Sequence, residues 1–142
     1  MKAYETIFCQ GHPNIRGRHP TTFEVTKELE ISLQGDCIIG VGADKGAADL
    51  DPVFSRILRH DAALLSTTLR VGECNVLIHS RGSSLLVLTH LSDLVWRRSC
   101  FIDSRTVGIE SDFSAATLPR DMMRLLQKGE DLKVEMTAII PE

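Results

Sequence analysis

The chain is poor in aromatic residues, with one Trp, one Tyr and five Phe among 142, so its interior must be built on Ile, Leu and Val. It also lacks a strong charge of either sign. Sixteen Lys and Arg against nineteen Asp and Glu give a net charge of -3, too mild to imply an acidic tail or a general affinity for nucleic acid, so only a local patch could bind phosphate. No apolar run approaches the ~18 residues of a membrane span, and Glu5 interrupts what would have to be the apolar stretch of a signal peptide. The cysteines, Cys9, Cys37, Cys74 and Cys100, form no CxxC pair, so neither a zinc knuckle nor a disulfide framework is signalled. They are expected to be reduced core thiols of a cytoplasmic protein, with Cys37 and Cys100 inert in apolar surroundings. No residue pattern names a cofactor or an oligomeric state.

Hydrophobic residues make up 43% and charged residues 25% of the sequence, the balance of an ordinary globular domain, here expected to span residues 1–142. A chain of this mass should bury roughly 68% of its surface and expose about 7,300 Å². Eleven of the sixteen basic residues are Arg, which suits planar, bidentate anion contacts.

The sequence resembles itself. Residues 39–58 lie over residues 107–126 at an offset of 68, with seven of twenty positions identical, among them Gly40/Gly108, Asp44/Asp112, Ala47/Ala115 and Arg56/Arg124. Upstream, Arg18/Arg81, Phe23/Leu86 and Thr26/Thr89 pair at an offset of 63, which implies about five extra residues around Asp93 to Arg98 in the second half. Two repeats, about 3–71 and about 74–140, predict a pseudo-twofold domain rather than a solenoid.

Each repeat reads alike. Thr22–Thr26 and Leu132–Ala138 alternate with period two, as strands with one buried face do. Ile38–Val41 and Thr106–Ile109 are short apolar runs that suit central strands. Helices follow, with Asp49 and Thr117 as N-caps, Pro52 and Pro119 in the first turns, and an apolar face of Leu50, Val53, Phe54, Ile57 and Leu58 in one and Met122, Leu125 and Leu126 in the other. Gly129 stops the second helix. Gly72 supplies the positive φ of a type II′ hairpin joining the repeats. The predicted fold class is α+β: a mainly antiparallel sheet or barrel of two tandem strand-strand-strand-helix-strand units.

The string Gly11-His12-Pro13-Asn14, then His19, Thr21–Lys27 and the run Gly35–Gly46, resembles the archaeal domain-of-unknown-function family 371 across most of the chain, with Arg81-Gly82 and Asp103 at further family positions. The resemblance implies no reaction. The second half replaces Lys45-Gly46 with Phe113-Ser114, so any role of Lys45 is not symmetric. Gly35-Asp36 before a strand also resembles the turn of cradle-loop barrels, a likeness of fold alone.

Four chemistries compete. An anion site would use a turn at Gly42, Asp44, Lys45 and Gly46 whose N–H groups face outward, with Asn14, Arg18, Arg81 and Arg98 as further donors; its ligand is a nucleotide or phosphate-bearing metabolite. An enzyme would gather His12, His19, Asp36 and Asp44 as acid-base groups, or His12, His19 and Asp36 as metal ligands, although His-x6-His is not a familiar ligand spacing. A further arrangement would set Asp44 and Asp112 face to face as a proton-sharing pair. An RNA strip would combine Arg81, Arg97, Arg98 and Arg105, joined by Arg16 and Arg18, with Trp96 and Phe101 for stacking. A sheet edge offered to a partner or a second copy is the remaining reading. Residues present in one half only, His12, His19 and Lys45, are the first place to look.

Overall fold

The computed structural model describes residues 1–142. The first half runs Lys2–Gln10 (β1), Thr22–Thr26 (β2), Ile38–Gly40 (β3), Pro52–Leu58 (α1) and Leu64–Val71 (β4); the second runs Cys74–Arg81 (β5), Asp93–Arg97 (β6), Thr106–Gly108 (β7), Arg120–Gln127 (α2) and Asp131–Ile139 (β8). Two four-stranded sheets result. One, in the order β1-β8-β4-β5, is antiparallel throughout. The other, β3-β2-β6-β7, pairs β2 with β6 antiparallel and carries β3 and β7 as parallel flanks. The fold is α+β, and no barrel closes. The sheets meet only at single bridges, Gln10 to Val41 and Arg81 to Ile109, because β3 and β7 are three residues long and cannot extend a ladder.

The inward faces share one core of 30 buried residues. At its centre Phe23 of β2 stacks on Trp96 of β6, centroids 4.7 Å apart, and the Trp96 indole N–H donates to Thr67 Oγ1 of β4 at 3.0 Å. The exposed area is 6887 Å², close to the size-based expectation of about 7,300 Å². Two strand expectations change. Thr22–Thr26 is buried at every position, since both of its faces are covered, and the short runs at β3 and β7 flank their sheet rather than centre it.

The helix starts also shift. Asp49 lies in a 3-10 turn, Ala47–Asp49, and accepts the Gly46 N–H; the cap of α1 is Asp51, whose carboxylate accepts Val53 N at 2.9 Å and Phe54 N at 3.2 Å. Thr117 ends the matching 3-10 turn Ala115–Thr117, and Pro119 stands before α2 with no side-chain cap. Of the predicted apolar faces, Phe54, Ile57, Leu58, Met122 and Leu126 are buried, Met123 joins them, and Val53 is exposed. Gly72 has φ +56, as the hairpin requires.

The order of elements in the first half recurs in the second, and tertiary hydrogen bonds recur with it. Asp44 N donates to Phe8 O and Asp112 N to His79 O; Arg18 N and His19 N donate to Asp36 O, while Thr89 N and His90 N donate to Ser104 O. These pairs set an offset of 71 up to β2 and β6 and 68 from β3 and β7 onward, so the upstream offset of 63 is incorrect. No insertion exists around Asp93 to Arg98, which is β6 itself; the second half is instead three residues shorter between its second and third strands. Gly11 and Gly82 correspond as well. A Cβ would lie 2.0 Å from Leu126 O at Gly11 and 2.2 Å from Leu58 O at Gly82, so each loop passes under the last turn of the other half's helix.

Candidate functional site

Alternation along β1 turns Glu5, Ile7 and Cys9 inward and Tyr4, Thr6, Phe8 and Gln10 outward. The surface has one cleft, of about 510 Å³, where the outward side of β1 and β8 meets the turn after β3; its lining is Phe8, Cys9, Gln10, Gly42, Asp44, Arg70, Asp131, Leu132 and Lys133. Phe8, Lys133 and Arg70 are register partners on three adjacent strands, and the Lys133 ammonium stands 5.7 Å from the Phe8 ring centroid. The Asp44 carboxylate accepts Phe8 N at 3.0 Å, fixing the turn against the strand. Arg70 bonds Glu135 and reaches Asn75 Oδ1 at 3.0 Å, whereas Lys133 lies 3.9 Å from Glu135. Burial, with Asp44 and Asp131 nearby, pushes the Cys9 thiol up to about 12, which leaves it inert.

Of the eight sequence-derived ligand residues, only Gly42 and Asp44 line this cleft. Lys45 instead pairs with Glu5, 5% exposed, whose other oxygen accepts Asp51 N at 2.9 Å. In the second half Val76, Phe113 and Pro119 hold these three positions, two apolar residues packed on the core and one with no N–H to satisfy. The turn is not an outward cradle either: the N–H groups of Gly42, Ala43, Asp44 and Gly46 reach Glu28 O, Thr26 O, Phe8 O and Asp49 Oδ2. Asn14 donates to Ile31 O at 2.7 Å. Arg18 and Arg98 are exposed, and Arg81 lies on the opposite sheet edge, 3.4 Å from Glu110.

The proposed acid-base group is not assembled as one cluster. His12 Nε2 lies 3.1 Å from Glu30, Asp36 stands beside Arg16 at 3.8 Å, and Asp44 is held at Phe8. His19 Nδ1 accepts Thr21 N, Thr22 N and Thr22 Oγ1 at 3.0 to 3.3 Å. No three His, Cys, Asp or Glu side chains converge as metal ligands. Asp44 and Asp112 do not face each other. Their carboxylates accept Phe8 N and His79 N on β1 and β5, opposite edges of one sheet, three strand spacings or about 14 Å apart. Nor is there an RNA strip of the expected composition: Trp96 is fully buried, Arg97 and Arg105 are tied to carboxylates, and Phe101 carries Arg97 at 4.9 Å. Cys100 is exposed rather than in the core, and all four thiols are free.

Sequence reasoning missed Phe8, Arg70 and Lys133, although the alternation at residues 132–138 already turned Lys133 outward. It also missed a polar network on the outer side of β2 and β6. Arg105 bridges Glu24 at 2.9 Å, Asp103 at 3.4 Å and Asp93 at 3.6 Å; Arg97 binds Asp103 at 2.9 Å and Thr106 Oγ1. Burial and the neighbouring Asp93 push the Glu24 carboxyl up to about 7, against the pull of Arg105 and Arg97. Burial also works against charge on Asp103, but the Arg105 N–H and the Arg97 guanidinium outweigh it and hold that carboxyl below its usual range. The network is one-sided, since the corresponding positions of the other half, by the recurring hydrogen bonds, hold Val95 in place of Glu24 and Cys37 in place of Arg105.

No helix is long and apolar enough to cross a membrane. Among known proteins, the chain is similar to the uncharacterized protein MJ0206 of Methanocaldococcus jannaschii, 35% identical over 126 residues, which cover 89% of this chain and 93% of that protein. Residues 7–139 match the family described as domain of unknown function (DUF371). The match takes in both helices, the cleft and every strand except the first five residues of β1, and the chain belongs to the DUF371 family.

Proposed function

We propose that the chain is a binding module for a small anionic ligand, a nucleotide or phosphate-bearing metabolite, seated in the cleft at Phe8. The observation that carries this reading is the row Phe8, Lys133, Arg70 along one register line of an open sheet. A flat ring for a base stands beside the Lys133 ammonium for a phosphate, with Arg70, itself paired with Glu135, next along the row and Gln10 and Asp44 on the wall as orienting groups. A volume of about 510 Å³ is that of ordinary small-ligand sites. The test is thermal unfolding with AMP, ATP and inorganic phosphate, because a ligand that binds only the native state raises the midpoint. Lys133→Ala and Phe8→Ala should each abolish a shift seen in the parent protein. No shift with any of the three ligands removes the proposal.

An acid-base reading has one observation in its favour, the buried Glu24 carboxyl near neutrality, and it moves the candidate group away from His12 and His19. Two further inferences belong here. The recurring hydrogen bonds are accounted for most simply by duplication of one strand-strand-strand-helix-strand unit, with the pseudo-twofold passing between β2 and β6. Four free thiols fit a reducing, cytoplasmic setting.

A further inference from the structure

We propose that the outward face of β1 and its neighbouring strands is a stacking platform for single-stranded nucleic acid, running from Phe8 in the cleft to Tyr4 beyond it. The proposal rests on the cleft reading for Phe8 and extends it to a residue outside the cleft. Tyr4 and Phe8 are 66% and 55% exposed and point the same way along one strand, four residues or about 14 Å apart. With so few aromatics in the chain, two unburied rings on one face are a departure from the use of Phe23 and Trp96 as core.

Each ring has its own lysine: Lys2 stands 5.6 Å from the Tyr4 centroid and Lys133 5.7 Å from that of Phe8. Across the sheet, Tyr4 is followed in register by Thr137 and Ser66, and Phe8 by Lys133 and Arg70, so each ring begins a row of donors. Of the outward cations of this sheet, Arg70 is paired with Glu135 and Arg81 with Glu110, and Asp44 and Asp131 line the cleft, so contacts to a phosphate backbone fall to Lys2 and Lys133, the two lysines beside the rings. Rings on a sheet surface paired with cations accept unstacked bases and the backbone between them, and every base has a face to stack. A duplex hides its bases, so the occupant is single-stranded.

Fluorescence anisotropy with labelled oligo(U) and oligo(dT) of about twelve nucleotides, within the site sizes of sheet-based binders, tests this. Tyr4→Ala and Phe8→Ala should each weaken binding about tenfold, and Lys133→Ala should weaken it and lower the salt slope by about 0.7. All three side chains are surface groups whose loss leaves the core intact. Binding unchanged in Tyr4→Ala, equal binding of a duplex of the same length, or no binding at low salt each overturns the platform. A thermal shift with AMP that survives in Tyr4→Ala while oligonucleotide binding falls supports it. An AMP shift without any oligonucleotide binding overturns the platform alone, and absence of both overturns the cleft reading with it.

Discussion

His19 and His90 hold one position in the two halves: the Nδ1 of each accepts the backbone N–H groups two and three residues on, Thr21 and Thr22 in one case and Ser92 and Asp93 in the other. The carbonyl of each also accepts an N–H from the 3-10 turn of the opposite half, Ala116 for His19 and Ala48 for His90. A histidine that looked unique to the first half is therefore a loop fastener used twice. His19→Ala and His90→Ala should each cost about 1 to 2 kcal/mol, as loss of a capping acceptor does, and leave ligand binding unaltered. Urea unfolding and ligand-induced shifts measured side by side check this; loss of binding in a stable His19→Ala would return His19 to the functional list.

Lys45 follows the same logic by a different route. Removing it strands the buried Glu5 carboxylate, so Lys45→Ala should destabilise by about 2 kcal/mol, whereas exposed Lys133→Ala should change stability by less than about 0.5 kcal/mol. The second half shows how the position is kept without charge, through Val76 and Phe113. The double change Glu5→Val with Lys45→Phe should therefore recover part of the loss, though Asp51 N, unlike Pro119, still needs an acceptor. A ligand-binding defect in Lys45→Ala without loss of stability would contradict this account.

Stability should fall as pH rises through the range set by Glu24. Its unfolded carboxyl titrates near 4.5 and its folded one near 7, so between these values the folded state holds a proton that the unfolded state has lost. The contribution is complete below about 4.5 and gone above about 7. Glu24→Gln, neutral at every pH, should flatten this decline by up to about 3 kcal/mol between pH 5 and pH 8. Unfolding curves of both proteins at the two pH values measure it, and parallel declines would refute it.

Glu110 occupies the left-handed region at φ +50, where its counterpart Gly42 has φ +61. Glu110→Gly should therefore be more stable than Glu110→Ala by about 1 kcal/mol, both variants having lost the exposed contact with Arg81. Equal stability of the two would mean that the backbone relaxes once the side chain is gone.

What the residues disclosed by themselves follows from how local each constraint is. The alternation of β8, the Gly72 hairpin and the apolar helix faces are written in neighbouring residues. The true correspondence of the halves is not, because Glu24 aligns with Val95 and Thr22 with Asp93, pairs that share backbone geometry and no chemistry. The false offset arose by matching like side chains, Thr26 to Thr89 and Arg18 to Arg81, where the fold equates hydrogen-bond roles. The one-sided network was hidden for a related reason: Glu24 reads as the polar face of a strand until Arg105, 81 residues away, folds over it. The cleft draws on β1, the turn after β3, β4 and β8, and no window of the sequence contains them together.

The carboxylates of Asp44 and Asp112 have a consequence for assembly. On β1 the outward-edge N–H groups of Thr6, Phe8 and Gln10 are taken by Glu5, Asp44 and Val41, and on β5 those of His79 and Arg81 by Asp112 and Ile109. A strand arriving at either edge meets donors already engaged and a negative charge guarding them. The molecule is thus guarded against edge-to-edge sheet growth near both corners.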